Sequence, residues 1–196
     1  MSIHVSHKFY SLTFSFCIIV VKESNKNQNV RQFCKEKSVF APWKEDTPAT
    51  ILKAFHIDWE NTRIAKLIKD PSDLMNTRDW LEANYAFIKE LYIELQYNSV
   101  YPFVNKLETG LFCDKAQLLD DRLKTATCDL LFVSSNTNSR EGVKSKSGLI
   151  RCEFLEYLVR LANFKYIQTQ QAPTFCDAVR ILIEDFVKPN IALLPW

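Results

Sequence analysis

Glycine is scarce in this chain of 196 residues, which holds only three. Glycine-rich phosphate loops, the dinucleotide fingerprint G-x-G-x-x-G and the nucleophile elbow G-x-S-x-G are therefore absent as motifs. The tight turns that a hairpin-rich sheet consumes are in equally short supply, which favours helices. Histidine is as rare: His4, His7 and His56. Two of these lie near the N-terminus, and a structural or solvated imidazole accounts for His56 beside Asp58 and Glu60. An excess of one charge is also missing, since 25 Lys and Arg stand against 23 Asp and Glu, mixed along the chain, for a net charge of +2. That excludes the clustered positive charge of a broad nucleic-acid footprint. The six cysteines, Cys17, Cys34, Cys113, Cys128, Cys152 and Cys176, include no C-x-x-C knuckle. Several sit on apolar helical faces, and the set reads as reduced structural thiols in a cytosolic setting, with a disulfide framework as the alternative. The carboxylate pairs Asp120-Asp121 and Glu184-Asp185 sit where capping or solvation explains them. No catalytic residue, metal site or cofactor is nominated, and the chain reads as a non-enzyme.

Apolar residues are abundant, at 47% of the chain with 13% aromatic, enough for a sizeable core. The run from Phe9 to Val21 has three readings: a segment docked on protein, a targeting peptide, or a tail. No small-x-small cleavage site follows it, and it falls short of the roughly 20 residues a spanning helix needs. Membrane contact of this arm is not expected. Glu23–Lys37 is polar and aperiodic, and reads as linker.

Helical signals begin after Val39. Thr47-Pro48 is a helix start, followed by Ile51, Leu52, Phe55 and Trp59 on one face. Ile64, Leu67 and Ile68 mark a second, short helix. Asp70-Pro71-Ser72-Asp73 repeats the start signal, and the pattern predicts one long helix to about Gln96. Shorter helices are predicted over 111–119 and 121–133, then one over 149–164. A last one starts at Pro173-Thr174, with Pro189 ending it.

The segment Ser147–Lys165 is the most informative. Ile150, Phe154, Leu155, Leu158, Val159, Leu161 and Ala162 form one wide apolar stripe, with Arg151, Glu153, Glu156 and Arg160 opposite. The order Gly148, Leu149, then Glu153-Phe154-Leu155 entering a helix resembles the exit of an EF-hand. The resemblance sets Leu149 at the eighth loop position and Glu153 at the twelfth, so the oxygen-donor positions fall on Gly142, Lys144 and Lys146. An ammonium group cannot ligate a hard dication, so such a loop is calcium-silent. In the preceding unit, Leu111 is expected at the eighth position and Lys115 at the twelfth. The expected architecture is all-α: arm and linker over 1–38, helical lead-in over 39–70, a degenerate EF-hand-like pair over 71–167, and a C-terminal helix and tail over 168–196.

Three further blocks carry a second resemblance: Asp58-Trp-Glu-Asn-Thr-Arg63 with Lys69-Asp70-Pro71, Asn84-Tyr85 with Ile88-Lys89-Glu90, and Leu149 to Ala162 with Lys165-Tyr166. Together they are similar to a group of protist proteins associated with cilia and flagella. Cys152 and the N-terminal arm depart from that pattern. The resemblance implies a non-catalytic structural or scaffolding role in an axonemal microtubule assembly in the cytoskeleton. Protein partners such as tubulin or other axonemal proteins are expected, with no nucleic acid and no small-molecule substrate. The alternatives are an accessory subunit of another large complex, for example mitochondrial, and a calcium-responsive adaptor. Candidate partner-binding residues are the aromatics Trp43, Trp59, Trp80 and Trp196 and the basic set Arg140, Lys144, Lys146 and Arg151, although a solvated loop and core packing account for the same residue types.

Overall fold

The computed structural model describes residues 46–96, 99, 101–136 and 148–191. Helix α1 (Pro48–Glu60) starts where Thr47 and Thr50 cap each other reciprocally around Pro48, satisfying backbone donors that the first turn leaves open. The four-residue α2 (Ile64–Leu67) buries Ile64. Helix α3 (Pro71–Ala83) is capped by the Asp70 carboxylate, which accepts from the Ser72 and Asp73 amides. Helix α4 spans Tyr85–Gln96.

The long helix expected from 72 to 96 is thus two helices broken at Asn84. Its backbone sits at φ −103°, ψ 8°, and its side-chain amide donates to the Trp80 carbonyl at 3.0 Å. Asparagine competes in this way for helical carbonyls, so an unbroken apolar pattern does not guarantee an unbroken helix.

Two-residue strands β1 (Val104–Asn105) and β2 (Gly148–Leu149) pair antiparallel, Val104 opposite Leu149 and Asn105 opposite Gly148. This corrects the expected register, which places Leu111 opposite Leu149. Leu111 instead lies inside α5 (Lys106–Lys115) and is 42% exposed. Asn105 starts that helix early by capping the Glu108 amide at 2.9 Å. Helix α6 spans Thr125–Ser135 and α7 spans Arg151–Ala162, the latter widening into a π-turn over Asn163–Ile167. Helix α8 (Phe175–Arg180), capped by Thr174, runs through a π-helical stretch over Ile181–Val187 into α9 (Lys188–Asn190). Pro189 therefore sits within the final helical turn instead of preceding the stop. Wider turns relax the clash between a proline ring and the carbonyl four residues earlier.

The architecture is all-α apart from the β1–β2 pair. Helix α7 is its centre: Phe154, Leu155, Tyr157, Leu158, Val159, Leu161 and Ala162 are all at most 1% exposed. It packs against α1, α4, α6 and α8, which is why its apolar face spreads wider than one stripe. Residues Asp46–Trp196 group as one compact unit. Among the described residues, no helix is long and apolar enough to cross a membrane.

Candidate functional site

The candidate site is built around the β1–β2 junction. The Tyr92 hydroxyl from α4 donates to the Pro102 carbonyl at 2.5 Å and lies 3.2 Å from the Leu149 carbonyl, so one buried side chain ties both loops together. Burial pushes this hydroxyl above the usual tyrosine range, keeping it protonated as a donor. Gln96 Nε2 reaches the same Pro102 carbonyl at 2.5 Å, and Ser99 Oγ accepts the Asn105 amide at 3.1 Å. Gly148 is required by close approach, since a Cβ there would stand 2.6 Å from Phe103 Cβ.

At the exit of β2, Glu153 is 3% exposed and its Oε2 accepts the Ile150 amide at 3.0 Å. Arg151 turns to Asp58 of α1, with Nε to Oδ2 at 2.5 Å and a second contact to Oδ1 at 3.1 Å. The Tyr85 hydroxyl donates to the same carboxylate, and burial together with that acceptor raises it far above the ordinary range. One turn further along α7, Glu156 is wholly buried. It accepts the Arg63 amide at 2.9 Å, the Arg63 guanidinium at 2.8 Å and Arg160 Nε at 2.8 Å. Arg63 also donates to the Ser134 carbonyl at 2.7 Å. Two guanidinium groups and one backbone amide satisfy a carboxylate that would otherwise be costly to bury.

Among the described residues, the candidate partner-binding side chains do not converge. Arg151 lines a cleft of about 530 Å³ with Lys89, Tyr92, Gln96 and the protruding Tyr101, while its charge is spent on Asp58. Trp59 packs on Phe55, with ring centroids 5.9 Å apart, and borders a separate hollow of about 310 Å³ with His56, Leu74, Met75 and Arg78. Trp80 is half-buried against the core. Trp43, Arg140, Gly142, Lys144, Lys146 and Trp196 lie outside the described residues.

The structure also exposes large apolar side chains on two adjacent helices: Leu107 and Leu111 on α5, Leu130 and Val133 on α6. These two helices pack together and are bridged by Lys106 and Asp129 at 2.9 Å. The four-residue step from Leu107 to Leu111 was a usable signal, hidden because α5 begins earlier than its pattern suggests. Among the described residues no group of three or more His, Cys, Asp or Glu side chains is placed to hold a metal ion. His56 Nδ1 instead lies 3.4 Å from an Arg78 nitrogen. No protein-family model, no curated protein and no solved structure matches this chain.

Proposed function

We propose that this chain is a non-catalytic scaffolding protein of a ciliary or flagellar axonemal microtubule assembly, acting through a calcium-independent, EF-hand-like pair of helix–loop–helix units. The observation that carries the reading is the antiparallel pairing of Val104 with Leu149. In an EF-hand pair the eighth loop residues meet in this manner. With Val104 in that role, Glu108 replaces Lys115 at the twelfth position, and Glu153 keeps its place in the second loop. The closing carboxylates are then both present, while the first, third and fifth positions carry Tyr97, Ser99 and Tyr101 in one loop and Gly142, Lys144 and Lys146 in the other. None of these six residues offers a side-chain carboxylate or amide oxygen to a hard cation, and two of them carry ammonium groups. The pair is left as a rigid frame for contact, without ion-driven opening.

The axonemal setting rests on the resemblance to protist ciliary proteins. Its segments are the ones that interlock: Asp58 with Arg151 and Arg63 with Glu156 join the first resembling block to the last. Contact surface is supplied by the exposed Leu107, Leu111, Leu130 and Val133. The test is co-sedimentation of the purified chain with ciliary doublet microtubules, together with localisation of the tagged protein in the cell. Co-pelleting and an axonemal signal support the reading. A mature chain beginning near Lys22 in an organelle fraction overturns the setting, and micromolar calcium binding by calorimetry overturns the calcium independence.

A further inference from the structure

Glycine in the middle of a helix weakens it, and Gly110 stands in the middle of α5. Among the described residues nothing calls for it: the backbone there is helical, and a Cβ would meet no atom within 4 Å. Counting about 100° per residue, Leu107 and Leu111 fall opposite the buried Thr109, Phe112 and Cys113 of α5. By the same count Leu130 and Val133 fall opposite the buried Cys128, Phe132 and Ser135 of α6. Both apolar pairs therefore point away from the core, with exposures of 67%, 42%, 71% and 61%. Lys106 marks the flank of α5 that faces α6, because it bridges to Asp129 at 2.9 Å. Gly110 follows Lys106 by four residues and shares that flank. The outcome is a shallow groove with a glycine in its floor and an apolar pair on each bank. We propose that this groove is a homodimer interface, in which the Leu107–Leu111 ridge of each copy of the chain seats in the groove of the other.

Ridge and groove lie on the same helix, so a two-fold axis beside Gly110 matches each with its counterpart at once, as an isologous contact requires. Ridges of residues four apart pack into such grooves on a facing helix. The bare Cα of Gly110 lets the incoming backbone come closer than a side chain would allow. Charge points to the same occupant. Lys106 and Asp129 are 55% and 36% exposed, so each copy presents one cation and one anion to the other. The two signs are complementary under the two-fold rotation, and neither copy carries a local excess that repels its mate. A strongly acidic or basic partner finds no surplus of opposite sign in this groove. Helices of 10 and 11 residues are about 15 Å long, a footprint below the roughly 800 Å² per partner of a standard interface. The dimer is therefore a weak one. The scaffolding reading uses these same side chains for contact, and a second copy as their occupant rests on that reading for the surface alone, independent of the axonemal setting.

The experiment is sedimentation velocity on the full chain, kept reduced, over concentrations from about 1 to about 300 µM. The expected result is a monomer that passes to a dimer with a Kd on the order of 10 µM. Leu107→Asp and Leu130→Asp should each weaken dimerisation roughly tenfold or more. In dilute solution both variants should melt within about 2 °C of the parent chain, since the side chains they replace are exposed. Gly110→Ala separates folding from association. It should raise the dilute-solution thermal midpoint by roughly 2–4 °C yet weaken dimerisation about fivefold, a combination that a glycine without a partner would not give. Lys106→Asp should also weaken the dimer, and adding Asp129→Lys should restore it, because the exchanged signs stay complementary across the axis. A chain that remains monomeric throughout the range leaves the groove to a different protein and overturns the proposal. A dimer that Leu107→Asp and Leu130→Asp both leave intact overturns it too, since the contact then lies elsewhere in the chain. Co-sedimentation with doublet microtubules reads the scaffolding proposal separately, and it can fail while the dimer persists.

Discussion

At the scale of single residues, the strongest constraints are charges taken out of water. Glu156 is fully enclosed while its two arginine partners keep 28% and 22% of their side chains exposed, so the carboxylate bears the desolvation cost and the arginines offset it. Glu156→Gln keeps the shape but leaves two guanidinium groups around a neutral amide. It should lower the unfolding free energy by about 3 kcal/mol, measured by urea titration, and Arg160→Ala should cost less because Arg63 still balances the charge. Asp120 gives a pH signature. The hydrogen bond from Lys165 and the Leu123 amide hold its carboxyl down to about 2, from an ordinary value of 3.8. A folded-state value below the unfolded one stabilises the fold above the unfolded value, and that contribution is lost as pH falls through the window from about 4 to about 2. Asp120 is 47% exposed on its side chain, so solvent screens the pair and the effect is modest. Asp120→Asn should therefore melt below wild type at neutral pH, with the gap closing as melts are repeated toward pH 2.

At the scale of elements, helix ends connect distant parts of the chain. Asp73, in the first turn of α3, accepts the Phe175 amide at 2.8 Å and the Cys176 amide at 3.1 Å. It therefore caps α8 from about one hundred residues away in sequence. Its negative charge also faces the positive end of that helix. Asp73→Ala should cost roughly 1–2 kcal/mol, and hydrogen exchange should show faster exchange at Phe175 and Cys176 while α7 amides keep their protection. The β1–β2 junction is tested by Gly148→Ala, where the added methyl meets Phe103 Cβ at 2.6 Å and the Val104 carbonyl at 3.2 Å. Neither neighbour is the loose end of a flexible side chain, so the strands must separate. The expected loss is about 1–3 kcal/mol, read from the thermal midpoint.

At the scale of the whole molecule, α7 gathers α1, α4, α6 and α8, and the ion pairs from its first residue and its middle, Arg151 with Asp58 and Glu156 with Arg63, fix how the lead-in segment sits on it. Such a frame is made to hold one shape. Millimolar calcium should leave the thermal midpoint within about 1 °C of its calcium-free value, since a ligand stabilises a fold only through binding its native state. Differential scanning calorimetry with calcium and with chelator checks this, and a rise of several degrees would mean that oxygens outside Gly142, Lys144 and Lys146 complete a site.

Local chemistry was legible in the sequence alone. The all-α class follows from scarce glycine and periodic apolar residues, and the helix starts at Thr47-Pro48 and Asp70-Pro71 are read from side chains within a few residues of the amides they cap. The apolar face of α7 was equally clear, because helical periodicity is a property of neighbours along the chain. Pairing was not. Val104 and Leu111 are both aliphatic residues near a loop, and only the packed structure chooses Val104 as the partner of Leu149, since that choice depends on where Tyr92 and Asn105 hold the loop. The remote capping by Asp73 and the enclosure of Glu156 share this origin. Each is decided by groups distant in sequence, which burial brings together and which no local pattern encodes.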